Sequence, residues 1–315
     1  GNHPLNAGVV GSNGGVIATR NIVAQADLVF FIGCRAGSTT TEHWRFPSPN
    51  TNIIHLDIDA NTIGVNYKTH APLFGDAKLT LELINLLLQK QIINRTKKVI
   101  DGKTLSLQSK EEKFAPFLQL AQSNDSPIVP ERIVHSLNRL LPKDAIICAD
   151  PGTPCPYFSA YFLSDLPGRH FITNRAHGAL GYAMSAAIGA AIGRPNLKSV
   201  AVMGDGSFGF TVGELETITR RKLPILMIVI SNSVYGWIKA SQKSGYDKRY
   251  FSVDFERTDH ARVAAAYGIQ SWRVDNPLQL DEVLKKAIES GAPALVDIIS
   301  QPLQDAAAPV SQWMG

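Results

Sequence analysis

Two polar side chains with the chemistry of metal ligands follow two apolar segments of the chain. Asp205 comes just after the apolar run at 199–203, and Asn232 just after the next one, at 226–230. A carboxylate oxygen and an amide oxygen are hard ligands of the kind that Mg²⁺ takes, and Mg²⁺ completes its shell with water and phosphate oxygens. The pair therefore predicts a magnesium site, provided that the fold brings the two residues together.

The residues beside Asp205 are suited to hold a phosphate. Gly204 and Gly206 have no side chains, so the backbone can approach a ligand closely. The amides of Gly206 and Ser207 are expected at the start of the next helix, where free N–H groups bind anions. With the metal pair, this predicts a Mg²⁺–diphosphate site, although Asp-Gly is also common in ordinary β-turns.

The two apolar runs are typical of buried parallel strands. Each is short, continuous and ended by polar residues, and a helix-length segment separates them. Neighbouring parallel strands place their carboxyl ends at one edge of the sheet, where ligands of open α/β sheets bind. We therefore expect Asp205 and Asn232 side by side at that edge.

The composition indicates a globular protein and excludes several classes of partner. The 315 residues are 44% hydrophobic and 18% charged, and the length suits two domains. A net charge of +4 without a long basic run argues against a nucleic-acid partner. No apolar run is long enough to span a membrane. The three cysteines lack metal-ligand spacing and suit the reducing cytoplasm.

Strand-like and helix-like segments alternate, which predicts an α/β fold with two parallel-sheet domains. Residues 1–92 form a Rossmann-like domain, 93–127 a charged surface linker with one short helix, and 128–315 the domain that contains Asp205. The main expected elements are strands at 27–33, 52–59 and 144–149, helices at 16–25, 77–89, 131–141 and 183–193, and a mobile lid at 241–254.

Two further acids, Asp57 and Asp59, end the second strand of the first domain. A Rossmann-type domain places a ribose-binding carboxylate at such a position. The alternative is a polar strand-to-helix turn with Asp59 near a helix N-cap. Because the glycine-rich dinucleotide motif is missing, we favour the turn.

The sequence GDGSF, followed by a strand, Asn232 and Tyr235-Gly236, resembles the signature of thiamine diphosphate-dependent enzymes such as acetolactate synthase, pyruvate oxidase and benzoylformate decarboxylase. The resemblance implies that Asp205 and Asn232 bind Mg²⁺ through their side chains and Val234 through its carbonyl oxygen. The metal then bridges to the cofactor diphosphate. HPLNAGVVG, ADLVFFIGCRAG and IIHLDIDANTIGVNY look like the central domain of the same family.

The resemblance also implies further cofactor-binding residues. The carbonyl group of Gly178 would accept a hydrogen bond from the aminopyrimidine, and Leu180 would support the bent cofactor beneath its thiazolium ring. Tyr235 and Gly236 begin a helix that would form the floor of the pocket. From the residues alone, Thr153 could either reach a phosphate or be a plain turn hydroxyl.

Candidates for the substrate pocket are His177 and Trp237. His177 could act as an acid–base group or be a loop histidine near the pocket, and Trp237 could line the pocket or be part of the core. The pyruvate decarboxylase branch has a catalytic glutamate where this chain has Ile238, which favours the acetolactate synthase-like branch. Glu214 and Glu216 point about 200° apart on one helix, so we interpret them as a packed or solvated helix face.

The resemblance also predicts what this chain lacks. FAD-binding acetolactate synthases carry Arg-Phe-Asp-Asp-Arg after the first strand, where this chain has Cys-Arg-Ala-Gly-Ser at 34–38, so FAD is not expected. The family's essential glutamate belongs to an upstream pyrimidine-binding domain, so no catalytic residue is assigned here. We expect a carboxyl-terminal portion of a longer protein, with an incomplete central domain, that is inactive alone.

The sequence thus predicts a thiamine diphosphate- and Mg²⁺-dependent 2-oxo acid carboligase or decarboxylase, similar to acetolactate synthase. It would act as a homodimer or tetramer, or with a partner chain that carries the pyrimidine-binding domain. The enzyme alternative is a decarboxylase or lyase of the benzoylformate or pyruvate decarboxylase type. Two non-enzyme alternatives are a catalytically silent nucleotide- or diphosphate-binding module and a Mg²⁺-free Rossmann-like scaffold.

Overall fold

The computed structural model describes residues 1, 3–90, 101–175 and 177–310. The chain divides into two compact units, a smaller one at His3–Lys113 and a larger one formed by Gly1 and the residues from Phe114 onwards. Every strand pair in both units is parallel, which confirms the predicted α/β class with two parallel sheets. The division between the units falls inside the segment predicted as a linker.

The smaller unit contains a three-stranded sheet in the order β1-β2-β3. Its elements are α1 Ile17–Ala24, β1 Leu28–Ile32, α2 Ser38–Thr41, β2 Asn52–Asp57, β3 Ala71–Phe74 and α3 Ala77–Lys90. The two strands and two helices expected from the sequence are confirmed. Ile53 of β2 packs with Ala36 and Tyr67 in a small buried cluster.

The predicted linker contains a longer helix than expected. Helix α4 runs over Gly102–Ala121, 20 residues, so the expectation of one short helix is wrong. One side of this helix is buried, and its buried residues follow each other at intervals of three or four positions: Ser106, Ser109, Lys113 and Phe117. Because polar residues occupy most of this buried stripe, a search for apolar residues at helical spacing does not detect it.

The larger unit is built on a six-stranded sheet in the order β5-β4-β6-β7-β9-β8. Its strands are β4 Ile146–Ala149, β5 Phe171–Ile172, β6 Ser199–Gly204, β7 Leu226–Ser231, β8 Gln270–Val274 and β9 Ala294–Ile299. Its remaining helices are α5 Pro130–Leu140, α6 Pro154–Tyr161, α7 Tyr182–Gly193, α8 Asp205–Thr211, α9 Glu214–Arg220, α10 Gly236–Gly245, α11 His260–Ala266 and α12 Leu280–Glu289.

Both faces of this sheet are covered, which explains the continuous apolar runs. Along β6, Val200 and Val202 belong to one buried cluster, and Ala201 and Met203 belong to another. The first cluster includes residues of α5 and α12, and the second includes residues of α7 and α11. Strands that are buried on both faces cannot alternate polar with apolar residues.

Strands β6 and β7 are direct neighbours, as predicted, with Gly204 opposite Ile230. The segment after β6 forms two short helices, α8 and α9, where the sequence suggested one. Helix α10 extends to Gly245, so the first part of the predicted lid is helical. The remainder is tied to neighbouring structure, since Tyr235 N–H donates to the Val253 carbonyl oxygen at 2.8 Å. None of the helices in the described ranges is both long and apolar enough to cross a membrane.

Candidate functional site

A cavity of about 180 Å³ lies at the carboxyl edge of the larger sheet. The segments that follow β4, β5, β6 and β7 all contribute to it, because parallel strands end on the same side. Its lining consists of Pro151, Gly152, Thr153, Arg175, Gly178, Leu180, Gly204, Asp205, Gly206, Ser207, Val234, Tyr235, Gly236, Trp237 and Ile238. The edge predicted from the sequence to bind a ligand therefore carries a cavity.

Asp205 is the centre of a hydrogen-bond network between the ends of β6 and β7. Its Oδ2 accepts hydrogen bonds from the N–H groups of Asn232, at 2.7 Å, and Ser233, at 2.6 Å, and its Oδ1 accepts one from Gly206 N–H at 2.8 Å. The side chain is almost completely buried. Burial raises the pKa of the Asp205 carboxyl, and the three N–H groups partly offset this rise. The expectation that Asp205 and Asn232 lie side by side is confirmed.

The oxygen atoms at this point fit a small hard cation. A carboxylate offers about four lone-pair directions, and the three N–H groups leave one of them on Asp205. The side chain of Asn232 accepts only a long hydrogen bond, at 3.3 Å from Val234 N–H, and its buried Nδ2 has no hydrogen-bond partner in the described structure. Within the described ranges, no backbone N–H donates to the Val234 carbonyl oxygen. All three predicted ligands thus have unused polar capacity, and their oxygens are of the type that Mg²⁺ takes.

The glycines around Asp205 differ in how much space surrounds the position that a Cβ atom would occupy. A Cβ atom on Gly206 would lie 2.7 Å from the Tyr235 ring, and one on Gly236 would lie 2.9 Å from Cβ of Leu303. A Cβ atom on Gly204 would meet nothing within 4 Å. Gly206 and Gly236 therefore allow close packing of the cavity walls, whereas Gly204 borders open space that a ligand can fill.

The turn before α7 supplies another wall of the cavity. Gly178 and Gly181 have φ angles of +69° and +85°, in the left-handed region that favours glycine. The side chain of Leu180 faces Gly152, with Cδ2 3.5 Å from where a Cβ on that glycine would lie. The turn thus places both predicted residues, Gly178 and Leu180, in the lining.

Asp150 anchors this turn, a role that the sequence reasoning missed. It is fully buried at the end of β4, and its Oδ1 accepts a hydrogen bond from Ala183 N–H in the first turn of α7 at 3.1 Å. Burial raises the pKa of the Asp150 carboxyl to about 6. Its position directly after a strand, at the same edge as Asp205, was the sequence signal that could have identified it.

Some predicted residues do not line the cavity. His177 is exposed and is not part of the lining. Asn232 contacts Asp205 from outside the lining, through the hydrogen bond of its N–H group. Glu216 is exposed and pairs with Arg220 at 2.9 Å, as expected for a solvated helix face, and neither it nor Glu214 lines the cavity.

The cavity also contains a cation that the sequence reasoning did not select. The guanidinium group of Arg175 lies over the Trp237 ring, 4.8 Å from its centroid. Arg175 lies in the segment after β5 and Trp237 in the first turn of α10, so the two residues are far apart in the sequence. A single arginine in a loop is usually a surface residue, so only the fold could reveal this contact.

A second cavity, of about 370 Å³, shares Asp205, Gly206 and Tyr235 with the first. It is also lined by His260 of α11, next to a buried polar network. Ser231 Oγ donates to Asp297 Oδ1 at 2.5 Å and contacts His260 Nδ1 at 3.1 Å. This network fixes the end of β7 immediately before Asn232.

Comparisons with known proteins agree with this geometry. The model of the thiamine pyrophosphate enzyme central domain matches residues 1–84. The model of the C-terminal TPP binding domain of thiamine pyrophosphate enzymes matches residues 150–298. The second range contains every residue that lines the cavity.

Curated relatives match nearly the whole chain. A probable acetolactate synthase large subunit of Methanococcus aeolicus is 31% identical over 309 residues, which cover 96% of this chain and 51% of the relative. Acetolactate synthase isozyme 3 large subunit of Escherichia coli is 28% identical, with 91% of this chain and 49% of the relative covered. A probable sulfoacetaldehyde acetyltransferase of Rhizobium meliloti is 28% identical, with 95% and 53% covered. The chain thus spans about half the length of the curated relatives that it matches.

Proposed function

This chain belongs to the thiamine pyrophosphate enzyme family and is similar to acetolactate synthase large subunits, and from that premise we propose that it supplies the diphosphate- and Mg²⁺-binding half of an active site for 2-oxo acids. The observation that carries the proposal is the contact between Asp205 and Asn232 at the edge of the cavity. The buried carboxylate of Asp205 and the half-buried side chain of Asn232, whose oxygen accepts only a hydrogen bond of 3.3 Å, lie beside open space at Gly204.

Different residues at the cavity would hold different parts of the cofactor. Asp205, Asn232 and the Val234 carbonyl would bind Mg²⁺, and Gly204, Gly206, Ser207 and Thr153 would face the diphosphate. Gly178 and Leu180 would orient the cofactor rings, and Tyr235 and Gly236 would close the floor. When bound, thiamine diphosphate supplies the carbanion chemistry that removes CO₂ from a 2-oxo acid.

We propose carboligation similar to that of acetolactate synthase as the reaction. The acetolactate synthase relatives support this choice, and the sulfoacetaldehyde acetyltransferase relative shows that the comparisons extend to a different named activity. A decarboxylase or lyase of the benzoylformate or pyruvate decarboxylase type is the alternative enzyme. Ile238, which lines the cavity, argues against it, because an apolar side chain cannot transfer a proton.

Activity would require a second domain. Among the described residues that line the cavity, Asp205 is the only acid and there is no histidine, so none of them is a candidate for the acid–base group that activates the cofactor. We propose that a pyrimidine-binding domain supplies this group, within a homodimer or tetramer or from a partner chain, and that the assembled enzyme acts in the cytoplasm. FAD is not expected as a cofactor.

The test is calorimetric titration of thiamine diphosphate into the chain, first with Mg²⁺ and then with EDTA. We expect binding that EDTA abolishes and an affinity that Asp205→Ala reduces at least about tenfold. Unchanged affinity after Asp205→Ala would favour the Mg²⁺-free scaffold over the metal site.

A turnover assay with pyruvate distinguishes an enzyme from a catalytically silent binding module. The chain alone should not consume pyruvate, and it should do so when an upstream pyrimidine-binding domain is added. Binding of the cofactor without turnover in that reconstituted mixture would instead identify a silent module.

A further inference from the structure

Arg175 places a positive charge in the cavity without a neutralising partner. It is the only cation among the described residues that line this cavity. No ion pair joins it to a carboxylate in the described part of the chain. Its Nε is buried and lacks a hydrogen-bond partner among the described residues. A buried donor of this kind is poised for an acceptor that the chain does not itself provide.

Trp237 determines how this charge is presented. The guanidinium group lies over the indole ring, 4.8 Å from its centroid, so one of its faces is covered. The N–H donors of a guanidinium group lie around its edge, and stacking leaves that edge free for hydrogen bonds. A planar acceptor such as a carboxylate can take two parallel hydrogen bonds from such an edge.

Arg175 and Asp205 belong to segments that leave the sheet at different strands. Arg175 follows β5, and Asp205 follows β6, with β4 between those two strands. Two strand spacings amount to about 10 Å between the points where the two segments leave the sheet. In the proposed function the cofactor diphosphate binds beside Asp205, which leaves the charge at Arg175 available for a second anion.

We propose that Arg175, held against Trp237, binds the carboxylate of the 2-oxo acid substrate. The inference rests on the proposed function, because it takes the Asp205 side of the cavity as the place of the diphosphate. Arg175 is then a specificity-determining residue, which selects substrates that carry an anionic group next to the reacting carbonyl. Trp237 acts as a positioning residue, which limits the orientations of the guanidinium group.

The experiment uses Trp237 as its own reporter. Pyruvate is titrated into the chain while tryptophan fluorescence is recorded, with and without Mg²⁺–thiamine diphosphate, and pyruvamide serves as the neutral isostere. A carboxylate that binds the Arg175 guanidinium group, which is stacked on Trp237, should change the fluorescence emission of that indole ring. The expected result is a saturable change with pyruvate and none with pyruvamide. The chain has four tryptophans, so Trp237→Phe must remove this change if it arises in the cavity.

Two variants test whether the positive charge of Arg175 is required for pyruvate binding. Arg175→Met should weaken pyruvate binding at least about tenfold, because a charge-assisted hydrogen bond is lost. Lys239→Met is the matched control, since Lys239 is a cation on α10 that pairs with Asp254 and does not line the cavity. It should leave pyruvate binding unchanged.

Calorimetry on the same variants separates this inference from the proposed function. Arg175→Met should keep its affinity for thiamine diphosphate within about twofold, which also shows that the variant folds. A comparable loss of cofactor affinity would assign Arg175 to the diphosphate and overturn the inference. An unchanged pyruvate response in Arg175→Met, or no response in the unmodified chain, would overturn it as well. Failure of thiamine diphosphate to bind the unmodified chain would instead refute the proposed function.

Discussion

Both parallel sheets of this chain carry aspartates at the carboxyl ends of strands, but Asp205 of the larger sheet joins two loops and Asp57 of the smaller sheet does not. Asp205, after β6, accepts hydrogen bonds from the backbone of the segment after β7. Asp57, at the end of β2, accepts one from Asp59 N–H at 2.9 Å, and Asp59 in turn accepts one from Asn61 N–H. The first network is long-range, whereas the second closes a local turn.

The difference between Asp205 and Asp57 shows when an acid at the end of a strand forms part of a ligand-binding site. A local turn satisfies the carboxylate within two residues and leaves it at the surface, where water competes for its hydrogen bonds. A bond to the neighbouring strand's loop draws the carboxylate inward, excludes water and leaves a cavity between two loops. The favoured interpretation of Asp57 and Asp59 as turn residues agrees with their hydrogen bonds, although no helix N-cap forms at Asp59.

The largest expected effect is that of Asp205→Ala. The change leaves the partly buried N–H groups of Asn232 and Ser233 without their acceptor, and each such loss costs about 1–3 kcal/mol. We expect the free energy of unfolding to fall by about 3 kcal/mol in urea titrations. A loss below about 1 kcal/mol would show that the long-range network is not a stabilising feature.

The left-handed glycines provide the next test. Gly181→Ala combines a φ of +85° with a Cβ atom 2.8 Å from Cγ2 of Thr211, so we expect a loss of about 2–3 kcal/mol. The matched change in the smaller unit is Gly33→Ala, which has a φ of +55° and no atom within 4 Å. It should cost only about 1 kcal/mol of backbone strain. Equal losses in thermal unfolding would show that crowding against Thr211 does not matter.

Glu131 is a buried acid without a hydrogen-bond network like that of Asp205, so it tests the effect of burial alone on a carboxyl group. It is 2% exposed, its Oε1 has no hydrogen-bond partner in the described structure, and burial raises the pKa of its carboxyl from 4.5 to about 7. Between these two pH values the folded state holds more protons than the unfolded state, so the free energy of unfolding falls as the pH rises.

Glu131→Gln removes this titration while it keeps the size of the side chain. The variant should be more stable than the unmodified chain by about 2 kcal/mol at pH 6 and about equal to it at pH 4. Urea unfolding at the two pH values measures the difference. A constant offset between the two proteins would contradict the assignment of the pH dependence to Glu131.

The smallest expected effect is that of Asp57→Ala. Only a local hydrogen bond at a partly exposed turn is lost, so we expect a change of about 0.5 kcal/mol in the free energy of unfolding. Urea titration beside Asp205→Ala completes the comparison. A loss as large as that of Asp205→Ala would mean that the two strand ends do not differ in the way proposed.

Much of this architecture could be predicted, because apolar runs and their spacing are local properties. The strands that bear Asp205 and Asn232, their parallel pairing and the glycine-rich turn before α7 all follow from short stretches of sequence. Helix α4 could not be found in this way, because Ser106, Ser109 and Lys113 occupy its buried face. Its sequence has no apolar periodicity from which the buried side could be identified.

The sequence alone determined the α/β class, the strand ends that carry polar residues and the family resemblance, since each of these depends on residues close together along the chain. Only the tertiary structure decided which polar residues share a cavity. It placed Arg175 over Trp237, hid Asp150 beneath the first turn of α7 and left His177 exposed. The physical reason is that strand order and helix packing bring together residues from different strand ends, and the identity of a residue does not encode which neighbours it will meet.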